Sequence, residues 1–336
     1  MRKWFVVIVS LLTLGVYAQD NDPFVSVNKV LKLMGTRFEI TVVAANEEIG
    51  YININEAVAE IERIEKLISS WNINSETSEI NRFAGMRPVK VSQELFDLIK
   101  RAINIAKITD GAFDITYASM DKIWKFDGSM KVFPSEERIK NSIAKVGFEK
   151  VVLNESELTV YLPEKGMKIG FGAIGKGYAA DKTKKLLISK GVKAGLINAG
   201  GDLTSWGTKE TGEKWLVGIT NPLDKDKVFS WLPIVESSVA TSGNYEKFVH
   251  FKGKKYTHII NPRTGYPTTG VKSVTIFAKD AELCDALATA VYVMGVDAGL
   301  HFINQLDGVE VLVVDDENEI HKSSGVVLDK STNFKK

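Results

Sequence analysis

The stretch Met167–Leu203 constrains the fold of this chain more than any other part of the sequence. Its pattern predicts a short strand, a glycine-rich loop, a helix, a second strand and a glycine turn that leads into Asp202. The loop contains four closely spaced glycines: Gly170, Gly172, Gly175 and Gly177. Glycine lets a backbone approach a ligand closely, and a helix that begins at such a loop points its free N–H groups at that ligand. The stretch therefore predicts a cradle for a phosphate group.

The rest of the chain mixes helical and strand patterns without the strict alternation of a doubly wound sheet. Apolar periodicity predicts helices over Asn53–Ser70, Ser92–Thr109 and, after a cap at Asp280, Ala281–Met294, while Ser75–Phe83 is a polar loop or a short helix. Alternation predicts two strands, or one bent strand, over Val25–Val43, and further strands at Val151–Leu153, Leu158–Leu162, in most of Trp215–Ile276, at Val309–Val314 and at Ile320–Ser323. This arrangement favours an α+β fold of mixed, largely antiparallel sheets with packed helices.

The composition is that of an ordinary globular protein, with 44% hydrophobic and 25% charged residues among 336. This length allows two domains or one large domain, at roughly 150 residues per domain. The net charge of +1 gives no support for a nucleic-acid partner. A phosphate ligand would therefore have to be held by local geometry.

The N-terminal residues 1–18 have the pattern of a secretory signal peptide. Arg2 and Lys3 form a basic start, and Phe5–Val16 forms an apolar core that is shorter than the roughly 20 residues of a membrane span. Small residues before Gln19 suit a signal peptidase, so we expect cleavage there and export of the mature chain. An uncleaved membrane anchor is the alternative interpretation.

Gly170, Gly172 and Gly175 match a G-x-G-x-x-G motif. In a dinucleotide-binding fold this motif follows a full strand, and an acid stands about 20 residues further on, at the end of the next strand. Here the predicted strand is short, and the candidate acid, Asp202, comes late and follows its own pair of glycines. The motif therefore favours phosphate contact without a Rossmann fold, and a packed glycine turn is the alternative.

The helix predicted over Ala281–Met294 is apolar on nearly every face, which is typical of a buried helix. Asp285 is its only charged residue after Glu282, and Thr289 lies one turn further along the same side. A buried carboxylate is costly unless it is paired or bound to a metal, and a carboxylate with a hydroxyl suits Mg²⁺. The residues alone leave a magnesium site and a salt bridge to a distant lysine or arginine equally open.

His258 is one of four histidines and lies where a predicted strand ends in a tight turn. Catalytic groups are common at such places, with a structural histidine as the alternative. Arg263 in the same turn could bind a phosphate through two hydrogen bonds or could hold its own turn together. Trp71 at a helix end could stack on a flat ring, with a core aromatic as the alternative.

Several short motifs follow one another in a fixed order between Met34 and Gly295. They are MGT (34–36), SSWN (69–72), SEINRF (78–83), GAFD (111–114), GAIGKGYAAD (172–181), NAGGD (198–202), TSGNYE (241–246), HIINPRTGYP (258–267) and DALATA (285–290). This pattern resembles the ApbE family, the FAD:protein FMN transferases, over nearly all of the mature chain, residues 19–336. The resemblance implies an ApbE-like α+β fold, with room for two subdomains around a central FAD cleft.

The resemblance also implies an activity and roles for single residues. Members of the family bind FAD and Mg²⁺ and transfer FMN to a threonine hydroxyl of an acceptor protein, releasing AMP. Asp285, the hydroxyl of Thr289 and the carbonyl of Ala173 match the Mg²⁺ ligands, which favours the metal over the salt bridge. His258 matches the proposed general base. The positions that line the FAD site are Met34, Trp71, Ala112, Phe113, Asp114, Gly170, Lys176 and Ile260.

Three positions depart from the usual family pattern. Gly170 stands where many members have Asp, so one polar contact to FAD is missing or is made by the backbone. Trp71 stands where tyrosine is frequent, which keeps stacking but changes hydrogen bonding. Asn261 stands before Pro-Arg-Thr-Gly where many members have Asp, so an acidic role at this position is in doubt.

The acceptors implied by the resemblance are subunits of membrane redox complexes on the outer face of the inner membrane. An exported, periplasmic protein fits them, with contact to the membrane through the acceptor. Three other functions fit the same sequence: a periplasmic protein that only binds FAD, an FAD pyrophosphatase that uses water in place of threonine, and a nicotinamide dehydrogenase suggested by the glycine motif alone.

Overall fold

A computed structural model describes residues 24–221, 224–243, 248–251 and 254–326. The signal peptide expected at residues 1–18 lies outside these ranges. The α-helices are α1 (Glu47–Ile68), α2 (Glu76–Arg82), α3 (Gln93–Ile108), α4 (Glu136–Ser142), α5 (Gly175–Ser189), α6 (Ala281–Met294) and α7 (Val296–Ile303). The strands are β1 (Val25–Leu33), β2 (Thr36–Ala44), β3 (Val89–Lys90), β4 (Val152–Asn154), β5 (Thr159–Tyr161), β6 (Ala194–Ala199), β7 (Asp202–Trp206), β8 (Trp215–Asn221), β9 (Asp224–Ile234), β10 (Ser238–Gly243), β11 (Phe248–Phe251), β12 (Lys254–Thr257), β13 (Val271–Ala278), β14 (Glu310–Asp315) and β15 (Ile320–Lys322).

The largest sheet has eight strands in the order β1-β2-β6-β7-β10-β13-β14-β15. Neighbouring strands in this sheet are antiparallel. Helix α5 packs on β6 and β7, α6 packs on β10 and β13, and the two helices contact each other. The architecture is the α+β fold of largely antiparallel strands that the sequence predicts.

Helix α6 is buried on nearly all sides, as its apolar sequence predicts. It shares the larger apolar core with α3, β13 and β14, whereas α1 and α5 cover β1, β2 and β6 in a second core. A helix with no polar face gains stability only when other elements surround it. In the described part of the chain, none of the helices has the length and apolar character that spanning a bilayer requires.

The N-terminal elements follow the predicted pattern with one shift. The chain turns between β1 and β2 at Met34 and Gly35, whose φ angles are 49° and 74°. Helix α1 begins at Glu47 and not at the predicted Asn53, because the side chain of Asn46 caps it by accepting the N–H of Ile49 at 2.9 Å. The polar segment after α1 forms the short helix α2, which was one of the two alternatives.

The short strand predicted before the glycine loop is wrong. The residues before the loop pair with side chains and not with a neighbouring strand. The Asn81 amide donates to the carbonyl of Ile169 at 3.0 Å and accepts its N–H at 2.8 Å. The Ser119 hydroxyl makes the same two contacts with Lys168, at 2.8 and 2.7 Å. These side chains satisfy the backbone groups that a sheet would otherwise pair.

Asp280 is the N-cap residue of α6, as predicted, but a different residue supplies the capping hydrogen bonds. Asp280 stands at the N-cap position, but its side chain makes no capping hydrogen bond. The carboxylate of Asp181 in α5 does so instead, and accepts the N–H groups of Ala281 at 3.0 Å and of Glu282 at 2.8 Å. Burial raises the pKa of Asp181 to about 6, against the effect of these hydrogen bonds.

Candidate functional site

The elements of the candidate site meet at the glycine segment, which comprises residues 170–177. A Cβ atom at Gly177 would lie 2.1 Å from the carbonyl oxygen of Ala281, so only glycine lets α5 and α6 approach this closely. A Cβ atom at Gly172 would have nothing within 4 Å. The segment therefore combines a tightly packed end with an open end, and the open end has room for a ligand.

Helix α6 presents Asp285 to the first turn of α5. The side chain of Asp285 is 5% exposed, and its Oδ2 accepts the N–H of Gly177 at 3.2 Å. Its Oδ1 lies 3.9 Å from Nζ of Lys176, beyond hydrogen-bonding distance but within ion-pair distance, so the alternative of a salt bridge to a distant lysine is present here. The lone acid of the apolar helix thus lies directly beside the glycine segment, together with a lysine.

Asp202 is a second buried acid at the same place, 2% exposed, and it forms an ion pair with Lys176. Gly200 and Gly201, both with positive φ, turn the chain from β6 into β7 and so place Asp202. Burial and the neighbouring Asp285 carboxylate raise the pKa of Asp202, although the Lys176 ammonium opposes the shift. Burial alone would lower the pKa of Lys176, but the two acids outweigh it and raise that pKa above its usual value. Lys176 is therefore an ammonium ion held between two acids.

The oxygen atoms of Asp285, Thr289 and Ala173 are of the types that a hard divalent cation accepts. Thr289 is half-buried on α6, with its hydroxyl 3.4 Å from that of Ser242, and Ala173 is half-buried in the glycine segment. Carboxylate, hydroxyl and carbonyl oxygens are ligands that Mg²⁺ accepts, and Mg²⁺ commonly uses one or two carboxylates plus substrate phosphates. Nowhere in the described residues do three or more His, Cys, Asp or Glu side chains form a metal-binding group. A cation here would therefore depend on few protein ligands.

The turn between β1 and β2 supports the site from one side. The N–H of Met34 donates to Oε2 of Glu65 at 3.1 Å, and a Cβ atom at Gly175 would lie 3.9 Å from Cε of Met34. A Cβ atom at Gly200 would lie 2.6 Å from Oγ1 of Thr36 in the same turn. This turn therefore contacts both the glycine segment and the glycine turn before Asp202.

Trp71 lies at the other side of the glycine segment and is 84% exposed, so the alternative of a core aromatic is wrong. Nζ of Lys122 lies 4.9 Å from the centre of its ring. Gly170 lies near the residue before Trp71, since a Cβ atom at Gly170 would lie 3.9 Å from Oγ of Ser70 and 3.1 Å from Cβ of Ala118. The exposed indole can stack on a flat ligand.

Core packing and hydrogen bonds within the protein hold the GAFD segment, residues 111–114, in place. Ala112 and Phe113 are buried in the larger core. The Asp114 carboxylate accepts the N–H and the hydroxyl of Thr116 at 2.7 and 2.6 Å and the N–H of Phe148 at 3.0 Å. Burial raises the pKa of Asp114, although these hydrogen bonds oppose the shift. The contact of these three residues with FAD stays a prediction.

His258 is exposed and follows β12 directly. Ile260 is buried against Trp124 in a small apolar cluster. Arg263 has a structural role, since its Nη1 donates to Oδ2 of Asp110 at 2.9 Å and thereby joins its own turn to a second turn. The catalytic role of His258 and the FAD contact of Ile260 stay predictions.

The structure therefore assembles part of the predicted set around the glycine segment. The residues that it brings to this segment are Met34, Gly170, Ala173, Lys176 and Asp285, with Thr289 one turn further along α6. The GAFD segment lies beside the loop that follows His258, since a Cβ atom at Gly111 would lie 3.6 Å from Cγ of Arg263, and contact of either with the glycine segment stays a prediction. Sequence reasoning missed the pairing of Asp202 with Lys176, although an acid directly after two glycines was the available signal.

Comparisons with known proteins identify the family of this chain. The sequence model of the ApbE family matches residues 34–313. An FAD:protein FMN transferase of Klebsiella pneumoniae is 32% identical over 266 residues, which cover 79% of this chain and 82% of that protein. One of Treponema pallidum is 31% identical over 289 residues, covering 82% of this chain and 80% of its own length.

Solved structures show the same fold. The crystal structure of the ApbE protein of Thermotoga maritima superposes with a TM-score of 0.80 at 31% identity, covering 89% of this chain and 97% of that one. The flavin transferase ApbE of Vibrio cholerae superposes with a TM-score of 0.79 at 26% identity, covering 90% and 98%. These matches confirm the α+β architecture predicted from the sequence.

Proposed function

The chain belongs to the ApbE family, and we propose that it transfers FMN from FAD to a threonine hydroxyl of an acceptor protein, releasing AMP. The names of its relatives support flavin transfer. The observation that carries the proposal is the position of Asp285, which the fold brings from an apolar helix to the glycine segment, where it accepts the N–H of Gly177. A buried acid beside a backbone that can approach a diphosphate suits phosphoryl-type transfer.

The proposed reaction exchanges one phosphorus–oxygen bond for another. The threonine oxygen forms a bond to the FMN-side phosphorus of FAD, and the bond from that phosphorus to the oxygen bridging to AMP breaks. AMP leaves with the electron pair of that bond. His258, exposed on its loop, would take the proton of the threonine hydroxyl as general base.

Asp285, Thr289 and the carbonyl of Ala173 would hold Mg²⁺, which supplies Lewis-acid stabilisation of phosphate charge when bound. The Lys176 ammonium adds positive charge at the same place, and the open backbone at Gly172 leaves space for the diphosphate. Trp71, exposed beside the glycine segment, would stack on a flat ring of FAD.

We also propose that the protein is exported and works in the periplasm on a subunit of a membrane redox complex, meeting the inner membrane only through that acceptor. The support is the basic and apolar pattern of residues 1–18. Expression with and without these residues, followed by cell fractionation, tests the proposal. Retention of the full-length chain in the cytoplasm would contradict it.

The activity is tested by incubating the purified chain with FAD, Mg²⁺ and a threonine-bearing acceptor fragment. We expect an acceptor mass increased by one FMN, in-gel flavin fluorescence and free AMP. An acceptor in which valine replaces the threonine keeps the shape without the hydroxyl and should stay unlabelled. Free FMN and AMP without acceptor labelling would indicate a pyrophosphatase, and bound but intact FAD would indicate a carrier.

A further inference from the structure

The cluster of Lys176, Asp202 and Asp285 contains one acid more than the proposed cation site uses. The ammonium of Lys176 hydrogen-bonds Asp202, and it lies 3.9 Å from Oδ1 of Asp285, within ion-pair distance but outside hydrogen-bonding distance. An ammonium and a divalent cation compete for the same carboxylate oxygens, because each gains most of its energy from direct contact with negative charge. A lysine hydrogen-bonded directly to Asp285 would therefore hinder cation binding there.

The two acids are fixed and the lysine is not. Asp285 is held by the N–H of Gly177, and Asp202 begins β7 directly after a turn of two glycines. Lys176 reaches the cluster on a flexible four-carbon side chain from the first turn of α5. We therefore expect the position of the Lys176 ammonium between the two acids to depend on its hydrogen bond with Asp202.

We propose that Asp202 is a positioning residue that keeps the Lys176 ammonium out of hydrogen-bonding contact with Asp285 and so keeps the oxygens of Asp285 open to a divalent cation. This inference rests on the cation site of the proposed function. It assigns Asp202 no contact with the metal. Without Asp202, the ammonium moves onto Asp285, which lies within reach of a small side-chain rotation.

A double-mutant cycle tests the assignment on the full chain freed of metal. Mg²⁺ binding is measured as the rise in Tm across a Mg²⁺ series, with and without FAD, which reads the metal without reading activity. We expect Asp202→Ala to weaken Mg²⁺ binding about tenfold in the wild-type background, since a charge-assisted contact then competes for Asp285. In the Lys176→Met background, the same change should weaken binding by less than about twofold.

Lys182→Met is the matched control, because Lys182 is on the same helix but pairs with Glu94 at 3.4 Å, outside the cluster. In that background, Asp202→Ala should still weaken Mg²⁺ binding about tenfold, because energetic coupling is confined to neighbouring groups. An equal loss in the wild-type and Lys176→Met backgrounds would show that Asp202 acts on the metal directly, and no loss in either would also overturn the inference. A wild-type Tm that ignores Mg²⁺ in both conditions would overturn the cation site and this inference with it.

Discussion

Helices α5 and α6 each contribute a carboxylate that accepts backbone N–H groups of the other helix. At one end, Asp285 of α6 accepts the N–H of Gly177 in the first turn of α5. At the other end, Asp181 of α5 accepts the N–H groups of Ala281 and Glu282 in the first turn of α6. Each helix therefore supplies an acid to the first turn of the other.

The two acids are alike in type and burial but differ in what surrounds them. Asp181 uses both oxygens on backbone N–H groups, which is the work of a helix cap. Asp285 gives one oxygen to a backbone N–H and lies beside Lys176 and Asp202. Equal burial therefore accompanies different contacts, since Asp181 uses both oxygens on N–H groups and Asp285 uses only one.

The largest effect should come from Asp285→Ala, which removes the only carboxylate of the proposed Mg²⁺ ligand set. We expect FMN transfer to fall at least about 100-fold, as for loss of other groups that stabilise developing charge. Acceptor labelling followed by mass spectrometry measures this rate. Asp315→Ala, which removes a buried acid of the β14–β15 hairpin, is the control and should keep most activity. Full activity of Asp285→Ala would refute its assignment as a ligand.

Gly177→Ala should separate the two helices. Its Cβ would lie 2.1 Å from the carbonyl oxygen of Ala281, and we expect the free energy of unfolding to fall by about 3 kcal/mol. Gly172→Ala is the matched control, since open space surrounds that position, and should change it by less than about 0.5 kcal/mol. Urea unfolding of both variants gives the comparison. Equal stabilities would mean that α5 and α6 are not in such close contact.

Asp181→Ala should mainly affect stability. Two N–H groups at the start of α6 lose their acceptor, which lowers the free energy of unfolding by about 1–2 kcal/mol. Asp181→Asn should cost less, because its amide oxygen can still accept one N–H. Urea unfolding measures both variants beside Asp285→Ala. A larger loss for Asp285→Ala than for Asp181→Ala would reverse the roles assigned to the two acids.

The pH dependence of stability offers the smallest and most specific test. Asp181 has a pKa of about 6 in the folded protein, above the roughly 3.9 of an unfolded chain. Between these values the folded state binds a proton that the unfolded state releases, so this contribution to stability is lost as the pH rises. From about pH 5 to pH 7, the wild type should lose about 1 kcal/mol relative to Asp181→Asn. Parallel pH profiles of the two proteins would contradict this.

Local patterns were enough to predict much of the fold. The periodicity of α3 and α6, the hairpin of β4 and β5, and the turn at Met34 and Gly35 are all present as expected. Each depends on residues close together in the sequence, which is the range over which apolar spacing and glycine turns act. Helix α7 was missed because Gly295, which ends α6, also stands at the start of α7.

Contacts between distant residues could not be predicted from such patterns. Asp181 caps α6 across about a hundred residues, and Asn81 replaces a strand partner for Ile169. The pairing of Lys176 with Asp202 likewise requires α5 and β7 to meet in three dimensions. Motif order supplied the predicted site residues. The contacts among Lys176, Asp202 and Asp285 came only from the structure.

The turn between β1 and β2 has a consequence for anyone shortening this protein. Met34 and Thr36 are uncharged, yet they contact the two glycine bends that place Lys176 and Asp202. Deleting the first hairpin would leave Lys176, Asp202 and Asp285 in the polypeptide. It would nevertheless remove the residues that pack against the two glycine bends next to them. Truncated versions should therefore begin before Val25.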